Sequence, residues 1–180
     1  MHQSKIGDEM PLHEKRFIIL IEEMFNDLEF WYPYYRLKEA RAGVIVVGSG
    51  SAKEYRGKSG TTAKADANAD QMSTSGIDGI IIPGGYAPDH MRRYPRMVGM
   101  VKELFDARKI VAAICHAGWM LASADILRGR TVTSVPAIKD DLVNAGAEWV
   151  DEEVVVDGKL ITSRKPDDLP AFMRALIRET

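Results

Sequence analysis

The sequence predicts an α/β sandwich built on a mostly parallel sheet, and three observations carry that reading. Short apolar runs without polar alternation, the pattern of strands buried on both faces, recur at residues 16–21, 44–47, 79–82 and 109–114. Segments with apolar residues at helical spacing lie between these runs. The one strong hairpin signal, Asp157-Gly158 between residues 153–156 and 159–163, comes late in the chain, so the earlier strands are joined by helices.

The elements follow in order. Residues 1–15 read as a polar N-terminal extension and residues 16–180 as a single domain. The first strand ends at Glu22-Glu23. Asp27 is the expected cap of a helix running through Glu29, Trp31, Tyr34, Leu37 and Lys38 to near Gly43, with Pro33 inside it. Its aromatic residues suit helix packing or an oligomer contact. After the second strand, Gly48-Ser49-Gly50-Ser51 falls short of a dinucleotide fingerprint. Residues 52–76 are polar, with a small hairpin expected around Gly57-Lys58. The third strand stops at Pro83-Gly84-Gly85, which is either a tight turn or a set of open backbone amides for an oxyanion. A helix follows over residues 95–107, then a strand over 109–114 and a helix after His116. Residues 131–135 read as a strand, 138–144 as a short helix, 153–163 as the hairpin and 167–177 as the last helix. In such sheets ligands gather beyond the carboxyl ends of the strands, where residues 22–29, Gly84-Gly85, Cys115-His116 and Ser134-Val135-Pro136 would meet.

Composition narrows the function classes. The 180 residues carry 46% hydrophobic and 28% charged side chains with a formal net charge of -2. That gives no electrostatic case for nucleic acid or an anionic membrane. No apolar run approaches a membrane span, and the start lacks a secretory layout. The single cysteine excludes an internal disulfide and suits a reducing compartment, so a cytoplasmic location is expected. The histidines have no zinc spacing, and neither a metal nor a cofactor is expected.

That cysteine, Cys115, falls where an apolar strand turns into a helix. A nucleophile elbow needs small residues two before and two after the nucleophile, because its sharp turn brings them together. Ala113 and Ala117 stand there, and His116 is adjacent. The plainer alternative is a buried cysteine acting as a small apolar residue. As a nucleophile, its placement at a helix start predicts a lowered thiol pKa.

Several segments together resemble the DJ-1/PfpI family, in particular its PfpI branch of intracellular cysteine proteases. They are residues 29–37, Pro83-Gly84-Gly85-Tyr86-Ala87-Pro88-Asp89, Ala113-Ile114-Cys115-His116, Leu127-Arg128-Gly129-Arg130, residues 144–158 and residues 163–170. The resemblance covers residues 16–178 and implies a flavodoxin-like three-layer sandwich. It implies Cys115 as nucleophile, His116 as base, Asp89 as an acid supplied by a neighbouring subunit, and Glu29 tuning the thiol. The amides of Gly85 and His116 would hold the oxyanion, and the assembly would be a homodimer or homohexamer. One departure stands out: Ala117-Gly118-Trp119 replaces the family's Gly-Pro after Cys-His, which bears on the pocket.

The leading expectation is a cysteine peptidase or amidase with a Cys115-His116-Asp89 site completed across a subunit interface. A glyoxalase or deglycase acting on small carbonyl substrates uses the same nucleophile. A non-enzymatic redox sensor or chaperone-like stress protein needs only an exposed thiol and no acid–base partner.

Overall fold

The computed structural model describes residues 12–180. Strand β1 (Arg16–Ile21) takes the centre because Phe17 to Ile21 are fully buried and leave no face for water. Around it the chain builds α1 (Asp27–Glu39), β2 (Gly43–Gly48), β3 (Glu54–Arg56), β4 (Thr62–Lys64), β5 (Ala67–Asn68) and β6 (Gly79–Ile82). Then come α2 (Ala87–Met91), α3 (Pro95–Asp106), β7 (Ile110–Ile114), α4 (Gly118–Ser123), β8 (Thr131–Val132), α5 (Lys139–Asn144) and β9 (Glu148–Trp149). Strands β10 (Val154–Asp157) and β11 (Leu160–Ser163) and helix α6 (Leu169–Glu179) close the chain.

Seven strands form one sheet in the order β10-β11-β7-β6-β1-β2-β5. All neighbours in it run parallel except β10, which pairs antiparallel with β11 through the Asp157-Gly158 turn. Helices α1 and α6 pack together on one face, and α2 to α5 form a second group. The result is the flavodoxin-like three-layer sandwich. The chain moves from β1 outward to β2, then crosses back to β6, so the strand order reverses between β1 and β6. Ligands favour the crevice at such a reversal.

Four details differ from the sequence reading. Asn26, not Asp27, caps α1: its Oδ1 accepts the amides of Leu28 (3.1 Å) and Glu29 (3.3 Å). Asp27 enters the first turn instead, its carboxylate engaged elsewhere. The strand expected over residues 131–135 pairs only as Thr131–Val132, with β9 in a separate two-stranded sheet. Beyond it the Thr133 amide turns away to Thr162 Oγ1 (3.0 Å). Cys115–Ala117 forms a single 3-10 turn before α4. Finally, residues 1–11 of the polar extension lie outside the described residues, but Leu12 is buried in the core and its amide reaches the Ala40 carbonyl (3.3 Å). Among the described residues no helix is long and apolar enough to cross a membrane.

Candidate active site

Cys115 leaves β7 with φ of +63°, a left-handed conformation that a side-chain-bearing residue adopts at a cost of order 1–2 kcal/mol. The turn is tight, and Ala113 and Ala117 are buried beneath it, as an elbow requires. Sγ is partly exposed and lies 3.3 Å from His116 Nδ1, so the imidazole faces the sulfur. The amides of Gly85 and His116 both donate towards that sulfur. These are the two donors expected of an oxyanion site.

Gly85 owes its place to backbone geometry. Its φ is +77°, and a Cβ there would sit 2.4 Å from the Met24 carbonyl oxygen and 2.6 Å from the Asn26 nitrogen. The close approach is a short antiparallel contact between Phe25 and Gly85, closed by the Tyr86 amide on the Met24 carbonyl (2.9 Å). Residues 24–26, following β1, thereby fix the amide that aims at Cys115.

Glu29 rises from the first turns of α1 and is wholly buried. Oε2 accepts the Gly84 amide at 2.8 Å, while Oε1 has no well-formed partner among the described residues. The neighbouring donor is the Cys115 thiol. Burial raises the Glu29 carboxyl to about 7, against the opposing pull of the Gly84 amide, the thiol and the Lys58 charge. The thiol itself is pushed up to about 12 by burial and by the Glu29 charge, and the His116 and Gly85 amides do not offset this. The lowered thiol pKa expected at a helix start is therefore overturned. One 3-10 turn of amides is weaker than desolvation beside a carboxylate. His116 is held below its ordinary value by burial and by Lys58, so the ring is neutral at neutral pH.

Asp89 lies exposed on α2, and its side chain has no hydrogen bond or ion pair with His116 or any other described residue. What stands beside His116 within the chain is Trp119, with ring centroids 5.2 Å apart. Its indole N–H is fixed on Asp141 Oδ2 (2.7 Å). Thus Cys115, His116, Glu29 and the Gly85 amide converge, and Asp89 stays apart. Of the aromatic residues on α1, Trp31 and Tyr34 pack on the core, whereas Tyr32 and Tyr35 are exposed.

With the geometry in place, comparison with known proteins decides the lineage. The sequence profile of the DJ-1/PfpI family matches residues 15–179. The chain belongs to the DJ-1/PfpI family. It is 44% identical over 163 residues to a deglycase of Pyrococcus abyssi, covering 91% of this chain and 98% of that protein. It is 40% identical over 166 residues to the protein/nucleic acid deglycase 2 of Escherichia coli, covering 91% and 96%. Among solved structures, a two-domain protein of Anabaena variabilis with DJ-1/ThiJ/PfpI-like and ferritin-like domains superposes with a TM-score of 0.89 at 44% identity. That match covers 91% of this chain and 49% of the Anabaena protein, about half its length.

The structure also brings in a residue that sequence reasoning passed over. Lys58, in the β3–β4 loop, places its charge within reach of both Glu29 and His116. The loop is held by Asp27, which accepts the Ser59 amide (2.8 Å), the Thr61 amide (3.0 Å) and the Thr61 hydroxyl (2.5 Å). Burial opposes ionisation of Asp27, but these bonds outweigh it and hold the carboxyl below its ordinary value. The available signal was an acid in a first helical turn already capped by its neighbour.

Proposed function

We propose that this member of the family is a thiol-dependent enzyme of carbonyl chemistry, a deglycase or glyoxalase acting on 2-oxoaldehyde-type groups. The observation that carries the reading is the buried Glu29 carboxyl beside Cys115, titrating near neutrality. A group with a pKa near the working pH both accepts and returns a proton. The resting pair is then a neutral thiol with a partly ionised carboxyl, and the thiol gives its proton to Glu29 as it attacks. His116 is the weaker acceptor, since burial and Lys58 lower its basicity.

Sulfur forms a bond to the aldehyde carbon, and the carbonyl π pair moves to oxygen between the Gly85 and His116 amides. Glu29 returns the proton to that oxygen, giving a hemithioacetal. The same carboxylate then carries the carbon-bound proton to the neighbouring carbonyl carbon while the hydroxyl proton passes to the neighbouring carbonyl oxygen through an enediol, leaving a thioester of a 2-hydroxy acid. Water hydrolyses the thioester and frees the thiol. One carbon is oxidised and its neighbour reduced, so 2-oxoaldehyde plus water balances to 2-hydroxy acid without an external oxidant.

The peptidase reading of Cys115, His116 and Asp89 has less support. The acid does not meet the imidazole among the described residues, and the Pyrococcus abyssi and Escherichia coli relatives are named deglycases. In this reading Asp89 keeps a second role: it is exposed and free to approach His116 of a second copy in a homodimer or homohexamer. Asp89→Ala should then lower kcat/KM at least about tenfold while intact-mass measurement shows the same assembly. A dissociated monomer with full activity would remove that role.

The deciding assay incubates the protein with methylglyoxal and, separately, with a fluorogenic peptide. The expected result is lactate from methylglyoxal, lost when the single thiol is blocked by iodoacetamide. Peptide cleavage without lactate would overturn the carbonyl reading, as would lactate formation by the blocked protein.

A further inference from the structure

The rim of the Cys115 site carries a positive charge, Lys58, that has no carboxylate partner among the described residues and that the reaction above does not use. Three segments lie side by side there. The Met24 amide donates to the Arg56 carbonyl (2.8 Å) and the Lys58 amide to the Phe25 carbonyl (2.9 Å) on one side of residues 24–26. On the other side Phe25 pairs with Gly85 and the Tyr86 amide reaches Met24. Two strand-like spacings separate Lys58 from Tyr86, about 10 Å in all. The lysine side chain spans that gap, bringing Nζ to 5.6 Å from the centroid of the Tyr86 ring. Tyr86 directly follows the oxyanion glycine and is 55% exposed. Lys58 Nζ has no carboxylate partner among the described residues. The neighbouring carboxylates are committed: Asp27 to Ser59 and Thr61, Glu29 to Gly84, and Glu23 to the Arg56 amide.

An ammonium held beside an exposed ring, one residue from the Gly85 amide, presents its charge to whatever binds at Cys115. We infer that Lys58 and Tyr86 form a subsite for an anionic group, carboxylate or phosphate, carried by the carbonyl substrate. The inference rests on the thiol-carbonyl reading for the reaction, but the subsite is tested without it. The reach of the Lys58 charge to both Glu29 and His116 supports its position at the mouth. The hairpin held on Asp27 keeps it there.

Cys115 is the only cysteine, so alkylation reads out at one atom. Iodoacetate and iodoacetamide both lose iodide as the thiolate forms a carbon–sulfur bond, and they differ in a carboxylate. The ratio of their rate constants cancels the thiolate fraction, which Lys58 itself influences. Intact-mass kinetics on the full chain should show that ratio falling about fivefold in Lys58→Met, the scale of one solvated charge pair, and holding in Lys58→Arg. An unchanged ratio in Lys58→Met overturns the subsite.

Turnover then separates the sources of charge and the two readings. In Lys58→Met, a KM rise for the carboxylate-bearing 2-oxoaldehyde 4,5-dioxopentanoate that is absent for neutral methylglyoxal supports a carboxylate. The same rise confined to the phosphate-bearing 2-oxo-3-(phosphooxy)propanal supports a phosphate. Equal KM changes for neutral and anionic carbonyls overturn the substrate assignment. A falling alkylation ratio in a protein that turns over none of these compounds overturns the carbonyl reading and leaves the anion subsite standing.

Discussion

Replacing Glu29 by glutamine should make the protein more stable and less active at the same time. The carboxyl titrates near 7 when folded because burial opposes its charge, against 4.5 for an unperturbed side chain. Between those two pH values the folded state binds the proton that the unfolded state has released. Stability of the native protein therefore falls as pH rises from about 4.5 through 7, and the whole penalty is present above 7. A gap of that size corresponds to about 3 kcal/mol at pH 8. Glutamine removes the charge yet its amide oxygen still accepts the Gly84 amide. Glu29→Gln should thus recover up to about 3 kcal/mol at pH 8 and nothing below about pH 4.5, read from denaturant midpoints across that range. The same change removes the proton carrier, and general acid–base groups supply about 10²–10⁴ in rate. A loss of kcat/KM of at least about 100-fold is expected. Retained turnover would transfer the proton to His116, and a flat stability difference across pH would remove the buried-charge argument.

The parts of this molecule that were legible in sequence are those fixed by local pattern and by burial on both faces. Strands β1, β6 and β7 are contiguous apolar runs because each is central and fully covered. The elbow showed through Ala113 and Ala117, since sterics at a sharp turn act on near neighbours. The two-residue strands β5, β8 and β9 carry too little sequence to have a period. Asn26 and Asp27 are both good caps, and what separated them was distant: only the β3–β4 loop has amides that need the Asp27 carboxylate. Lys58 was unreadable for the same reason, because nothing near it in sequence says that its hairpin docks beside the elbow. The thiol pKa shows a local rule losing to a tertiary one. A turn of amides favours the thiolate, but Glu29 arrives from another helix and burial excludes the water that would screen it.

The other large effect concerns a residue with no side chain. Gly85→Ala should damage turnover far more than it damages access to the thiol. At φ of +77° alanine already costs of order 1 kcal/mol or more. Its Cβ also meets backbone atoms, the Met24 oxygen at 2.4 Å, the Asn26 nitrogen at 2.6 Å and the Phe25 carbonyl carbon at 2.9 Å. Backbone cannot swing aside as a flexible side chain does, so the Phe25–Gly85 contact must open and carry the Gly85 amide away from Cys115. Losing one oxyanion donor costs about 2.7–4 kcal/mol of transition-state stabilisation, a fall in kcat of about 10²–10³. Alkylation by iodoacetamide develops no oxyanion, because displacement at a saturated carbon leaves its carbonyl oxygen out of the reaction. The alkylation rate should fall by no more than about tenfold, the part owed to the amide that favours the thiolate. The comparison of the two rates is what isolates the oxyanion role. If turnover and alkylation fall by the same factor, Gly85 serves the sulfur alone and the second oxyanion donor must be sought elsewhere on the elbow.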